Sequence, residues 1–141
     1  MTAAALTTEI VSDPERFASL SKTWDALAEC TGTPLARHAW YCVALTALQH
    51  HLFELSVVLV WDGALLVAAA PLILDKSLSS ARLSPIDGFI GEPFRLLYRD
   101  PEALQMLGKA CAALRRPILF RRLESSEADL TVLSSALSSN A

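Results

Sequence analysis

Cysteine is scarce and scattered in this sequence: Cys30, Cys42 and Cys111 are odd in number and lie far apart. That spacing excludes a disulfide framework and the paired-cysteine patterns of structural zinc sites, and a reducing, cytoplasmic compartment follows. Excess positive charge is missing as well. Twelve Lys and Arg residues against fifteen Asp and Glu leave a formal net charge of −3, which gives no attractive field for a nucleic-acid partner. Nine of the twelve basic residues do fall between Lys76 and Arg122, with Arg115 and Arg116 placed to complement a helix C-terminus and the others solvated. The first residues carry no basic segment leading into an apolar run, so no secretory leader is expected. Also absent are a Gly-x-Ser-x-Gly elbow, a phosphate-binding Gly-Lys motif and His-Glu-x-x-His.

Apolar residues, by contrast, are abundant. They make up 52% of the 141 residues, with only 19% charged, which is rich for a chain of one-domain size. Residues 1–141 are expected to form a single domain with a frayed tail at 138–141, and some of its apolar surface should meet a partner subunit or a second domain. The longest apolar run, Ser56 to Leu74, is nineteen residues with Asp62 as its one charge. Its length would permit a membrane span. Asp62-Gly63 argues for a hairpin instead, because the two central positions of a type I′ turn need positive φ, which Asp and Gly tolerate. Pro71 would kink a spanning helix but is accommodated at a bend in a strand. Val57 to Trp61 before the turn, and Leu65 to Val67 with Leu72 to Leu74 after it, are therefore read as two buried strands, and no membrane span is expected.

Around this hairpin the pattern is mainly helical. Thr7 to Val11 reads as a first strand. Ser12 and Glu15 have capping-box spacing with Pro14 in the first turn, opening a helix whose Phe17, Leu20, Trp24 and Leu27 share one face and which ends at Gly32 and Pro34. A second helix is expected over Arg37 to His50, apolar over so much of its circumference that it should be buried. After the hairpin come a short strand near Ala81 to Pro85 and an irregular loop, "IDGFIGEPF". Asp100-Pro101 then caps a helix carrying Leu104, Leu107, Cys111 and Leu114, which Pro117 stops. "ILFRRL" reads as a strand and Ser126 to Leu137 as a last helix. The expected class is α/β in the broad sense (α+β): a mixed, mostly antiparallel sheet flanked by helices, in the order β-α-α-β-β-β-α-β-α.

Three stretches, "WDALAECTGTPLARHAWYCVAL" (Trp24 to Leu45), "LVWDGALLVAAAPLIL" (Leu59 to Leu74) and "SPIDGFIGEP" (Ser84 to Pro93), fall in an order and spacing that resembles the GNAT acyltransferase fold. More narrowly, the chain is similar to the N-terminal half of the CelD-like, FemAB-related acetyltransferases of the cellulose-biosynthesis type, which carry two GNAT-like halves. The resemblance implies an acyl-CoA-dependent N-acetyltransferase, acetyl-CoA or another acyl-CoA as donor, and a small-molecule amine or sugar as acceptor. The partner would be a second GNAT-like half, or a second copy of the chain. Sites of this type resemble a Gln/Arg-x-x-Gly-x-Gly/Ala loop whose bare amides face a diphosphate at a helix N-terminus. Here Gly88 and Gly91 lack that spacing, and Asp100 and Glu102 would repel the diphosphate. Coenzyme A is accordingly expected to bind the other half, leaving this one not competent alone.

The remaining polar candidates are few. His50 and His51 are adjacent and diverge by about 100° on a helix, whereas His38 and Cys42 share one face at i, i+4 but supply only two of the four ligands a structural site needs. No metal site is expected: His50 and His51 read as a helix-end pair and His38 as a polar first-turn residue. Cys42 and Cys111 sit on apolar faces, where a thiol behaves as a small hydrophobe, and Trp24, Trp40 and Trp61 read as packing residues. Asp87, Glu92 and Arg95, in a loop carried by a rigid sheet, are candidates for substrate positioning or for contact with a second half. No residue is assigned as catalytic. The competing reading is a non-catalytic binding or scaffold module that dimerises through apolar helix faces. A third is a complete small acyltransferase with an unusual cofactor loop around Gly88 and Gly91.

Overall fold

The computed structural model describes residues 5–29, 36–48, 51–77, 79–88, 94–120 and 123–138. Its centre is the hairpin. Strands β2 (Phe53–Leu55) and β3 (Val57–Asp62) form one arm, and β4 (Leu65–Ala70) and β5 (Leu72–Asp75) form the other. Ser56 and Pro71 interrupt the arms without misaligning them, since the Ser56 amide donates to the Leu72 carbonyl at 3.0 Å. The turn differs from expectation by one residue. Asp62 pairs with Leu65, so the two-residue loop is Gly63-Ala64. Gly63 has φ +60°, and Arg115 is the one non-glycine residue at positive φ among those described. A positive first position followed by an ordinary second one fits a type II′ turn rather than type I′. No helix among the described residues is long and apolar enough to cross a membrane.

The unbroken apolar run has a geometric cause. Successive side chains of a strand point to opposite faces, and both faces of this hairpin are covered. Val57 and Leu59 enter one core and Val58 and Val60 the other, and all four are 0% exposed. A register shift leaves Val67 as an extra residue, since Val60 pairs with Ala68 but Trp61 pairs with Leu66. This bulge lets the neighbours Val67 and Ala68 both enter the second core.

The hairpin holds together two antiparallel sheets, with strand orders β1-β3-β4-β7 and β2-β5-β6. Strand β1 spans Leu6–Val11, β6 Arg82–Pro85 and β7 Leu97–Tyr98. Strand β7 lies between the expected loop and the expected Asp100 cap, where no strand was expected. Strands β6 and β7 pair with the same arm, β6 with β5 and β7 with β4, so the chain leaves that arm after Ile86 and later returns to it. "ILFRRL" is not a continuous strand. Among its described residues the parallel bridges are at its two ends, Leu83 with Ile118 and Phe94 with Leu123, and Arg121 and Arg122 lie outside the described residues. Among the described residues the order is therefore one strand, three helices, six strands and two helices, within the expected mixed α+β class.

Helices α1 (Pro14–Ala18), α2 (Ser21–Ala28) and α3 (His38–Thr46) cover the first core. The first expected helix is two helices. Asp13, not Ser12, is its cap, accepting from the Glu15 amide at 3.1 Å. Ser19 breaks it: its hydroxyl donates to the Arg16 carbonyl at 2.6 Å, a local bond that competes with the helical ladder. The ends expected at Gly32, Pro34 and His50 lie outside the described residues. Helices α4 (Pro101–Ala113) and α5 (Glu127–Ser138) cover the second core. Arg115 lies just past the C-cap of α4 at φ +53°, in the left-handed conformation that commonly ends helices. A Cβ on Gly108 would stand 2.6 Å from that of Ala136, so glycine there permits the close approach of α4 and α5.

Candidate functional site

The residues expected to position a substrate do not converge. Asp87, following β6, is only 3% exposed. Its Oδ2 accepts from the Trp40 indole at 2.7 Å, while its buried Oδ1 has no hydrogen-bond partner among the described residues. Burial raises its pKa above the usual carboxylate value, opposed by the Trp40 bond, and burial together with the Asp87 charge pushes the Tyr41 phenol up as well. Gly88 lines a separate, largely apolar cavity. A Cβ there would meet nothing closer than Pro85 at 3.8 Å, so no close backbone approach demands glycine. Gly91 and Glu92 lie outside the described residues.

Arg95 does border a polar groove. This concavity, about 560 Å³, runs between β7 and the segment leading into α5 and is lined by Arg95, Tyr98, Glu124, Ser125 and Ser126. Arg95 pairs with Glu124 at 2.5 Å. The Tyr98 hydroxyl donates to Asp129 at 2.6 Å and lies 3.2 Å from the Ser125 hydroxyl. Burial, then the Asp129 bond, raises the Tyr98 pKa, so the phenol keeps its proton at neutral pH and serves as a donor. The groove thus offers a cation, a carboxylate and several hydroxyls with no activated nucleophile. Such a set orients a polar ligand. Sequence reasoning found Arg95 but missed Tyr98 and Glu124, because β7 is two residues long and the parallel bridge that brings Leu123 to Phe94 has no local signature.

Groups suited to covalent chemistry are neutralised by their surroundings. His38, expected to be a polar first-turn residue, is buried and stacked on Phe17. Its Nε2 lies 2.7 Å from the Phe17 carbonyl, which can only accept, so that nitrogen carries hydrogen. In the neutral ring Nδ1 is then the acceptor, and the Cys42 thiol stands 3.4 Å from it. Burial, then the charge of Asp25, raises the Cys42 pKa, so the structure brings His38 and Cys42 together as a structural contact and leaves the thiol protonated. Burial alone pushes Cys111 up to about 12. His51 is exposed, and His50 lies outside the described residues. No group of three or more potential metal ligands occurs among the described residues. Each indole N–H has a protein acceptor: Trp24 on the Ala36 carbonyl at 2.9 Å, Trp40 on Asp87, Trp61 on Glu9 at 3.1 Å.

The N-terminus of α4 is closed to anions. Asp100 accepts from the Ala103 amide at 2.9 Å, Glu102 occupies the first turn, and Arg99 pairs with Asp100 and Asp62 at 2.8 and 3.3 Å. The Ala103 bond, then Arg99, hold the Asp100 carboxyl below its ordinary pKa. Comparison with models of known protein families, with curated proteins and with solved structures gave no match for this chain.

Proposed function

We propose that this chain is the support half of an acyl-CoA-dependent N-acyltransferase, an N-terminal GNAT-like half that works in the cytoplasm and does not hold coenzyme A by itself. The observation that carries the second part is the α4 N-terminus, where the Asp100 cap, with Glu102 beside it, uses the amides and the positive end that a diphosphate would need. The resemblance of the three ordered sequence stretches supports the first part, and the antiparallel hairpin sheet with α4 across it is compatible with it. In this reading the acyl-CoA binds a second GNAT-like half, and the groove at Arg95, Tyr98 and Glu124 orients the polar acceptor, a small amine or sugar.

Calorimetric titration of the chain with acetyl-CoA tests the reading. We expect no saturable heat from the chain alone, and binding only after a polypeptide supplying the second half is added. A micromolar isotherm with the isolated chain would sink the proposal in favour of a complete small enzyme. The rival, a scaffold that self-associates through α3, draws on Val43, which is 67% exposed on that helix. Sedimentation as a strict monomer across concentrations would dispose of it.

A further inference from the structure

Strand β1 ends the four-stranded sheet, pairing with β3 on one side. Among the described residues no other backbone meets its far side, which therefore presents a row of amides and carbonyls to any strand that approaches. The other sheet edges are guarded. Strand β6 is bridged by the segment after α4, the Pro117 carbonyl accepting from the Leu83 amide at 2.8 Å. Strand β7 is two residues long, and β2 is three residues long and carries Glu54, paired with Lys76 at 3.7 Å. Strand β1 is six residues long and has none of the usual blocks. It contains no lysine, proline or glycine, and its pairing with β3 runs without a bulge. Its one charge, Glu9, is already paired with Arg16 at 2.9 Å. Thr7, Thr8 and Ile10 are exposed, Ile10 at 43%.

We propose that β1 is a dimerisation edge: a second copy of this chain lays its own β1 antiparallel against it, about a two-fold axis perpendicular to the sheet, and one sheet runs through both copies. Such an axis keeps like faces together, so it passes through a residue that stands opposite itself. Two registers use most of the strand. Centring on Glu9 sets two carboxylates opposite each other, which is repulsive. Centring on Thr8 sets Thr8 against Thr8 of the second copy, Leu6 against Ile10, and Thr7 against Glu9. Leu6 and Ile10 lie on the face toward the second core, where Leu6 already packs and Ile10 stands opposite Val58. Thr7 and Glu9 lie on the other face, opposite Trp61 and Leu59, where the Thr7 hydroxyl can donate to the carboxylate. Apolar meets apolar and donor meets acceptor. The strand is thus its own complement, which selects a second copy over a foreign strand. The interface is separate from the exposed Val43 of α3, and the proposal does not depend on the acyltransferase reading.

Sedimentation equilibrium of the full chain across a range of concentrations should show reversible dimerisation and no larger species. Thr8→Lys, an exposed change that sets two ammonium groups face to face, should weaken the dimer at least about tenfold, with thermal melts confirming that the variant folds. Val43→Lys should leave the dimer unchanged. The register has its own readout. Residues opposite each other across the axis have Cα atoms about 4.5–5.5 Å apart, within disulfide reach, so mild oxidation should link Thr8→Cys into a covalent dimer. Thr7→Cys, whose two copies lie a residue to either side of the axis and beyond that reach, should stay at the level of the parent chain. Should Thr8→Lys disturb folding, the two cysteine variants decide alone. A strict monomer at every concentration, a dimer lost in Val43→Lys but kept in Thr8→Lys, open-ended association, or equal cross-linking through Thr7→Cys and Thr8→Cys would each overturn the proposal, and none of these outcomes alters the reading of the acetyl-CoA titration.

Discussion

The two faces of the central hairpin are held in different ways. The α1–α3 face carries a cluster of aromatic rings among its aliphatic residues, and three of the polar edges in it have named partners: Trp24 the Ala36 carbonyl, His38 the Phe17 carbonyl, Trp40 Asp87. The rings also meet one another, Trp24 standing edge-on to Phe17 and to Tyr41 at 5.5 Å between centroids in both cases. On the α4–α5 face the core is mainly aliphatic, built from Val58, Val60, Leu104, Leu107 and Leu133, and two helices meet over Gly108. One face is specified by direction and the other by volume. The first should therefore fail when a donor or acceptor is lost, and the second when a methyl group is added.

The largest effect is expected at Trp24. Trp24→Ala should lower stability by about 3–5 kcal/mol in urea melts, whereas Trp24→Phe, which retains most of the ring packing but leaves the Ala36 carbonyl unpaired, should cost about 1–3 kcal/mol. If Trp24→Phe proves neutral, the directional account of this face is wrong. Gly108→Val probes the other face. With a Cβ already 2.6 Å from Ala136 and 3.3 Å from Leu133 Cδ1, overpacking should cost about 1–3 kcal/mol, and an Ala136→Gly second change should recover part of it. Smaller still is Asp25→Ala. Asp25 accepts from the His38 amide at 2.8 Å and so caps α3 from a neighbouring helix, a service worth about 1 kcal/mol.

The last prediction concerns slope rather than size. The Asp87 pKa is raised in the fold, mainly by burial, so its contribution favours the native state at low pH and is lost as pH rises from the unfolded value through the folded one. Asp87→Asn keeps an acceptor for Trp40 but cannot ionise. The stability of the variant relative to the parent should therefore climb between pH 4 and pH 7, as followed by thermal melts across that range. Glu9 and Asp100 have lowered pKa values and act in the opposite sense, losing their contribution as pH falls, but they cancel in this difference. A flat or falling difference would mean that the Trp40 bond outweighs burial.

Local chemistry made much of the fold legible. Asp100-Pro101 announced α4 because cap and first-turn proline are adjacent in sequence, and the hairpin was visible because Gly63 interrupts two runs of buried residues. The errors mark where tertiary context decides. Ser12 was expected as the cap from its spacing to Glu15, but Asp13 takes that place, and the turn moved one residue because Ala64 could take the second position once Gly63 took the first. His38 looked like a polar first-turn residue, since nothing nearby in sequence reveals that the Phe17 carbonyl waits twenty-one residues upstream. In the candidate site, Arg95 was found from loop composition alone. Its partner Glu124 is twenty-nine residues away and arrives by a parallel contact that no periodicity encodes.

The return of the chain to the same arm has a consequence for how such a protein can change. Strands β6 and β7 take their register from one neighbour, β6 from β5 and β7 from β4, so the excursion between Ile86 and Phe94 is anchored at both ends by pairings that do not depend on its length. Doubling the length of a connection between two fixed ends costs only about 0.6 kcal/mol of closure entropy. That stretch is therefore where insertion, grafting or evolutionary drift can write new sequence while the ladder on either side keeps its alignment.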